Sequence, residues 1–504
     1  MSSKDKKFFV TTPIYYVNDQ PHLGSAYTTL AADVLARYHR IKGEKVFFLT
    51  GTDEHGGKIA EAAEKEGLSP QQLADQNVAK YQMAWDTLNI SYDNFIRTTN
   101  PAHIETIKTV IRELDKKRLI YPGKYQGLYC QGCERFYTPK ELVNGKCPDH
   151  QREPQILEED CYFFKLSAFQ KPLLKLIDQG ELIIEPKERR NEITGFLKTE
   201  KLNDLSISRQ KVKWGIPLPI DERQTIYVWV DAFFNYLTGV GWRGDFKKLP
   251  EFWPADLHLI GKDILRVHAT IWPALLLALE IPLPKKIYAH GFFTINGQKM
   301  SKSLGNVIDP GEMAKIFSVD GLRYLLLAAF PFGQDGDFSQ TKFYEQYQAD
   351  LANGLGNLVA RITALAEKEK LFKPVELEKE LIKTIETVRH DYQLCLDEIR
   401  FFDALSAVWS LIKFCDIYIN ENEPWRLFKG DLDKFDKVIY NLLESLRQIA
   451  WLIQPFMPET ADQIWQQLGI LEIEKKKSLF QAKEEKIKYS QIKKGESLFP
   501  KLQK

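Results

Sequence analysis

Along the first hundred residues, short aromatic and β-branched runs alternate with longer stretches whose apolar positions recur every three to four residues. Phe8–Thr12 and Val46–Thr50 have the composition of short buried strands. Between them, residues 24–40 carry apolar side chains near helical spacing, and helical patterns follow at 57–66 and 71–90. Strand, helix, strand is the opening of a parallel α/β sheet. From about residue 121 to 225 the character changes to short segments rich in Gly, Pro, Cys and charge. The α/β character returns at 226–230 and 256–260 and continues to a strand at 287–295. The middle stretch therefore reads as an insertion between two halves of one sheet domain. From about 341 onward the pattern is nearly all helical, over 342–369, 376–399, 403–419 and 432–453, with a break at 422–424.

Length and composition agree with this division. The chain has 504 residues, which predicts about three domains. With 44% apolar and 12% aromatic residues there is ample material for packed cores. The opening segment MSSKDKKFFV lacks the long apolar core of a secretory signal. The most apolar segment, Ile271–Leu279, is flanked by Arg266, His268 and Glu280 and is far shorter than the ~20 residues that span a bilayer. A soluble, cytoplasmic protein is expected. Net charge is +1, but residues 475–504 carry ten Lys against three acidic residues, +7, which leaves −6 for the rest. Such a run is either a solvated tail or a patch for phosphates.

Four segments carry chemistry. In "TTPIYYVNDQPHLGSAYTTLAADVLAR", 11–37, a strand gives way to an aromatic-rich loop and His22-Leu23-Gly24-Ser25 opens a helix. A helix N-terminus seats phosphate; Gly24 admits close approach to the backbone, and His22 can donate to a phosphate oxygen or simply cap the helix. In "GTDEHGGKIA", 51–60, Asp53 stands at the carboxyl end of a buried strand, where open α/β sheets bind ligands. A carboxylate there suits an ammonium group, or it caps the next helix. "YCQGCERFY…GKCPDH" spaces Cys130, Cys133, Cys147 and His150 as C-x2-C and C-x2-H knuckles. That spacing can close a tetrahedral site of three thiolates and one imidazole with no open position, so a structural zinc is expected. Cys161, Cys395 and Cys415 read as core thiols. In "HGFFTINGQKMSKSLGN", 290–306, Lys299 and Lys302 sit on a loop after an Asn-Gly turn. Two ammonium groups there suit a polyanion whose charge grows as it leaves.

Taken together in this order, with "YVWVDAFFNYLTG", "GKDILRVHA" and "NGLGNLVARI", these segments resemble the class I aminoacyl-tRNA synthetases and, within them, the methionyl family. The resemblance runs over essentially the whole chain. It implies a Rossmann-like parallel-sheet catalytic domain with a zinc-knuckle insertion, followed by an all-α helical bundle that binds the anticodon. The expected limits are 1–120 and 226–305 for the two catalytic halves, 121–225 for the insertion, 306–350 for a linker contacting the tRNA stem, and 351–504 for the helical domain with its basic end. By the same resemblance, His22, Ser25, Lys299 and Lys302 are the catalytic set. ATP is bound by these together with Gly24, His290, Gly291, Met300, Ser301 and Ser303. Methionine is held by Ile14, Tyr16, Asp53, Trp229, Ala232, Tyr236, Ile264 and His268, and the anticodon is read by Asn357, Arg361, Pro424 and Trp425. The implied reaction joins methionine to its elongator and initiator tRNAs through methionyl adenylate, with one Zn²⁺ in the fold and Mg²⁺ accompanying ATP.

Two departures matter. Ser25 stands where the family signature often ends in a second His, and Phe233 and Phe234 replace smaller residues beside the pocket. A monomer is expected, because no appended tRNA-binding domain follows the helical region. The alternatives are a cysteinyl, leucyl, isoleucyl or valyl specificity, or an RNA-binding protein that kept the fold without catalysis. Leucyl, isoleucyl and valyl pockets need editing, and the insertion is too small for that module. Retention of His22, Asp53, Lys299 and Lys302 argues against a non-catalytic protein.

Overall fold

The structure is a computed structural model that describes residues 6–18, 20–132, 135–137, 142–148, 151–295, 298–299, 307–368, 371–479 and 487–502, with backbone only at 125, 126, 135, 136, 157, 298 and 299. β1 (Lys7–Tyr16) leads through a short loop to α1 (Leu23–Ile41), then β2 (Lys45–Asp53) and β3 (Asn94–Arg97), followed by α2 (Pro101–Lys116). Inside the insertion lies β4 (Ile183–Glu185), and beyond it α3 (Val228–Phe233), β5 (Leu257–Gly261), α4 (Leu265–Ala278) and β6 (Lys286–His290). These strands form one six-stranded sheet in the order β3-β2-β1-β5-β6-β4. Every pairing in it is parallel.

Both faces of the sheet are covered, and the side chains alternate between two cores with period two. Val10, Phe48, Leu257 and Tyr288 join the core that also contains α1 and the helical half. Their neighbours Phe9, Leu49, Ile260 and Ile287 join the core under α4. The expected strand at 8–12 thus extends over 7–16, and that at 46–50 over 45–53. Two expectations are corrected. Residues 226–230 do not enter the main sheet: Asp221–Ile226 pairs antiparallel with Ser208–Arg209 in a small sheet, and α3 starts at Val228. Nor is 287–295 one strand. It breaks after His290, because Phe293–Ile295 pairs instead with Gln298–Lys299 and Gly336–Asp337. The main sheet's edge strand β4 was not foreseen; three residues between a Gly180 cap and Pro186 carry too little pattern to read.

The helical half begins with α5 (Val319–Ala328), widens to π geometry over Tyr347–Gly356 and continues as α6 (Asn357–Ala366). Lys379–Asp397, α7 (Phe401–Asn422), α8 (Pro424–Gly430) and Leu432–Ile453 follow. It is joined to the sheet domain by a buried guanidinium. Arg323 of α5 is fully buried. It donates to the Asp33 carboxylate of α1 at 2.7 Å and to the carbonyls of Phe456 at 2.7 Å, Leu88 at 3.0 Å and Pro455 at 3.0 Å. Residues 487–502 pack back on this half, with Tyr489 and Phe499 buried, while Lys475 and Lys477 pair with Asp462 and Glu474. Among the described residues, no helix is long and apolar enough to cross a membrane.

Candidate active site

The site lies where the parallel strands end. His22 is the N-cap of α1, in extended backbone, and its Nδ1 accepts from the Gly24 N–H at 3.0 Å and the Ser25 N–H at 3.3 Å. The Ser25 hydroxyl accepts from the His22 N–H at 3.0 Å and donates to the His22 carbonyl at 2.7 Å. This reciprocal cap satisfies donors that the helix start leaves open. Since Nδ1 is an acceptor, the ring proton sits on Nε2, so His22 is a cap at one nitrogen and a donor at the other. A Cβ on Gly24 would stand 2.9 Å from the imidazole. The space over Gly24 is therefore taken by the His22 ring, and the Ser25 proton is already committed.

His290, at the end of β6, is buried. Its Nδ1–H donates to the Gly291 carbonyl at 2.7 Å, which leaves Nε2 to accept from the Thr28 hydroxyl of α1 at 2.7 Å. Burial first of all holds this imidazole neutral, with a pKa lowered to about 4. A Cβ on Gly291 would meet the Gln334 carbonyl oxygen at 2.2 Å, so only glycine fits that crossing. Lys299 is described by its backbone alone, paired with Thr294; Met300, Ser301, Lys302 and Ser303 lie outside the described residues.

Beside these elements opens a cavity of about 890 Å³. Ile14 and Tyr16 from β1, Asp53 from the end of β2, Trp229 and Ala232 from α3, Tyr236, Ile264, and His268 from α4 all line it. All eight residues expected around methionine therefore face one space. Phe233 also lines it, whereas Phe234 is fully buried behind, against Trp242 and Trp272. Asp53 is buried, and the helix that follows it is capped at Gly56 without a side-chain bond. The capping alternative for Asp53 is thus set aside. Within this lining the His268 Nδ1–H donates to the Ile264 carbonyl at 2.9 Å, and the Tyr236 hydroxyl donates to His268 Nε2 at 2.8 Å. Burial lowers the His268 pKa to about 4, so this imidazole meets a ligand as a neutral ring. Tyr236 stacks at 4.1 Å on His258; burial holds His258 neutral as well.

One constellation was not anticipated. Asp231 of α3 is buried, and its two carboxylate oxygens face His55 Nδ1 at 2.7 Å and His103 Nε2 at 2.8 Å. Burial raises its pKa, but the two imidazoles outweigh it and hold the carboxyl down to about 2. A signal existed: a lone Asp inside the apolar run VWVDAFF must find partners when buried. Glu54, fully buried beside His55, accepts from Arg97 at 2.8 Å and from the Thr99 hydroxyl at 2.6 Å.

The comparisons with known proteins point the same way. A family model described as "tRNA synthetases class I (M)" matches residues 8–155 and 139–363, and "Anticodon-binding domain of tRNA ligase" matches 367–502. The methionine–tRNA ligase of Caldanaerobacter subterraneus subsp. tengcongensis is 43% identical over 99% of this chain and 79% of its own length. The chain belongs to the methionyl class I tRNA synthetases. The methionine–tRNA ligase of Streptomyces coelicolor is 42% identical over 92% of this chain and 90% of its own length. Among solved structures, Mycobacterium tuberculosis methionyl-tRNA synthetase in complex with methionyl-adenylate superposes with a TM-score of 0.93 at 38% identity, covering 98% of this chain and 100% of that one. Its apo form gives 0.87 at 35% identity, covering 99% of each chain. The expected Rossmann-like parallel-sheet domain followed by a helical region holds.

Two further sets of synthetase residues remain to be placed. Asn357 is exposed at the start of α6. Arg361, one turn on, donates to Asp416 at 3.3 Å and Asn420 at 3.1 Å, both on α7. Pro424 is buried and opens α8, and Trp425 beside it is 40% exposed, so its ring is not a core residue of the bundle. In the insertion, Cys130 and Cys147 are buried together against Tyr137. Cys133 and His150 lie outside the described residues, and among the described residues no group of three or more His, Cys, Asp or Glu side chains is arranged to hold a metal ion. Cys161, Cys395 and Cys415 are buried, as core thiols should be.

Proposed function

We propose that this chain activates methionine with ATP and transfers it to the 3′ end of methionine tRNA. The observation that carries the reading is one cavity at the strand ends lined both by buried Asp53 and by the hydrogen-bonded Tyr236–His268 pair. A carboxylate suits the ammonium of an amino acid, and aromatic walls suit a thioether. In the first step a methionine carboxylate oxygen attacks the α-phosphorus of ATP, the bond to the β-phosphate oxygen breaks, and pyrophosphate leaves. In the second, a ribose hydroxyl of the terminal adenosine attacks the acyl carbon and AMP leaves. The carboxylate is itself the nucleophile, so positioning and electrostatics carry the first step.

Within this reading His22 presents its Nε2–H to a phosphate, while Ser25 and Gly24 hold the ring in place. Lys299 and Lys302 clamp the departing pyrophosphate, on the segment that runs through Met300, Ser301 and Ser303. His290 and Gly291 act by anchoring the start of that segment to α1. Mg²⁺ accompanies ATP and offsets phosphate charge. Asn357, Arg361, Pro424 and Trp425 form the anticodon face. Cys130, Cys133, Cys147 and His150 would hold one zinc ion, whose part is to staple the insertion. The co-burial of Cys130 and Cys147 fits that donor set, and thiolate ligands need a reducing compartment, which supports a cytoplasmic location. ATP–pyrophosphate exchange over all twenty amino acids tests the reading. Methionine alone should support it, and exchange with leucine, valine, isoleucine or cysteine instead would overturn it.

A further inference from the structure

Asp231 does not line the cavity, yet its neighbours in the chain do. Trp229 stands two residues before it, Ala232 one after, and Tyr236 follows in the next turn. α3 is only six residues long and has no side-chain cap. A helix that short has no stability of its own, so what anchors it decides where the cavity wall stands. The anchor is the Asp231 carboxylate. It is ionised and therefore accepts only, so both facing ring nitrogens carry hydrogens. One donor, His55, is two residues beyond Asp53 on the loop that ends β2. The other, His103, projects from α2 and also meets the Thr238 hydroxyl at 2.7 Å. All three side chains are buried.

We infer that Asp231, His55 and His103 form a positioning node that sets the distance between Asp53 and the Trp229–Ala232–Tyr236 wall, and thereby the enzyme's affinity and selectivity for its amino acid. The inference rests on the reading that this cavity takes methionine. The node touches neither substrate. It ties the element bearing the ammonium partner to the element bearing the side-chain wall, through two charge-assisted hydrogen bonds that burial shields from water. The phosphate-binding end at His22 is built separately, on the cap of α1, and does not depend on it.

The test separates the two substrates. In ATP–pyrophosphate exchange, Asp231→Asn and His103→Leu should each raise the KM for methionine about tenfold or more while the KM for ATP stays within about twofold. Both should also erode the preference for methionine over norleucine. His103→Gln, whose amide can still donate to Asp231, should stay within about threefold of the unmodified enzyme in both constants. Should Asp231→Asn fail to fold, His103→Leu carries the test, because His103 lies outside the cavity. The inference is overturned if the methionine KM does not move, if both KM values rise together, or if neither Asp231→Asn nor His103→Leu yields folded protein, for the node is then merely structural. Absence of methionine-dependent exchange in the unmodified protein would instead strike the functional reading itself.

Discussion

The loop that ends β2 and the residues expected at the anticodon on α6 and α8 are both polar, yet they are built in opposite ways. In the loop, Asp53, Glu54 and His55 are all buried and their neighbours are cross-linked in every direction, to Arg97, Thr99 and Asp231. On the helical face, Asn357 is exposed, Arg361 is about one-third exposed and Trp425 is 40% exposed. The difference follows from the size of what each meets. A small amino acid can be recognised only by a preformed, desolvated cavity whose polar groups are few and fixed. A loop base of RNA arrives with its own scaffold and needs an open surface with a ring to stack on and donors beside it. On the proposed function, the same chain keeps its polar groups interior in the part assigned to the amino acid and displays them in the part assigned to the anticodon.

The largest effect is expected at Lys302, proposed to meet pyrophosphate. Lys302→Ala should slow ATP–pyrophosphate exchange by about 100-fold or more, since the charge it faces develops only as the leaving group departs. Methionine binding measured by calorimetry should hardly change. Exchange within about twofold of normal, under roughly 0.5 kcal/mol of barrier, would remove the clamp from the account.

Next is the joint between the two regions. Arg323→Met takes one of the two guanidinium partners from Asp33, leaving Arg37 and the Ser91 hydrogen bonds, and orphans the carbonyls of Leu88, Pro455 and Phe456. Losing one member of a buried charged pair costs about 3–5 kcal/mol, so the urea midpoint should fall sharply. Asp33 adds a pH dependence. Burial raises its pKa, but Arg323 and Arg37 outweigh this and hold it low. It stabilises above the unfolded-state value and loses that contribution as pH falls toward its folded pKa. Arg323→Met should flatten this acid limb; an unchanged midpoint would show that the two halves stand independently.

A smaller effect sharpens the contrast in composition. Burial lowers the pKa values of His268 and His290 to about 4 and pushes that of His258 down as well. An unfolded chain binds protons on these rings near pH 6.5, so stability falls as pH drops from about 6.5 to 4. Asp320 runs the other way. Burial raises it to about 6, so its contribution improves as pH falls through the same window. The helical half contains only His390. Acidification from pH 7 to 5 should therefore loosen the sheet domain first, seen as early hydrogen exchange in β1, β5 and β6. Exchange starting in α6–α8 would contradict this.

What could be read beforehand follows the same divide. β1, α1 and β2 were legible because runs buried on both faces and a helix with a buried stripe carry strong periodic signals. The eight residues expected around methionine, all of which line the cavity, were reachable only through the family resemblance. The Asp231 node was not, because its partners come from β2's loop and from α2, distant in the chain, and hydrogen-bond geometry leaves no periodic trace. The edge strand β4 and the break after His290 were missed for a related reason. Both depend on which strand a three-residue segment pairs with, and that is decided by tertiary packing. For Ser25, the residue type suggested a phosphate donor, and only the geometry revealed a hydroxyl spent on the helix cap.

The central claim is that chemistry and tRNA reading are built on separate surfaces, and Trp425→Ala tests it most directly in a single preparation assayed twice. Stacking of a base on an aromatic ring is worth about 1–3 kcal/mol. The account predicts that kcat/KM for methionine tRNA falls roughly 5- to 150-fold, while ATP–pyrophosphate exchange and the melting temperature stay where they were. Loss of both activities together with a lowered melting temperature would contradict it.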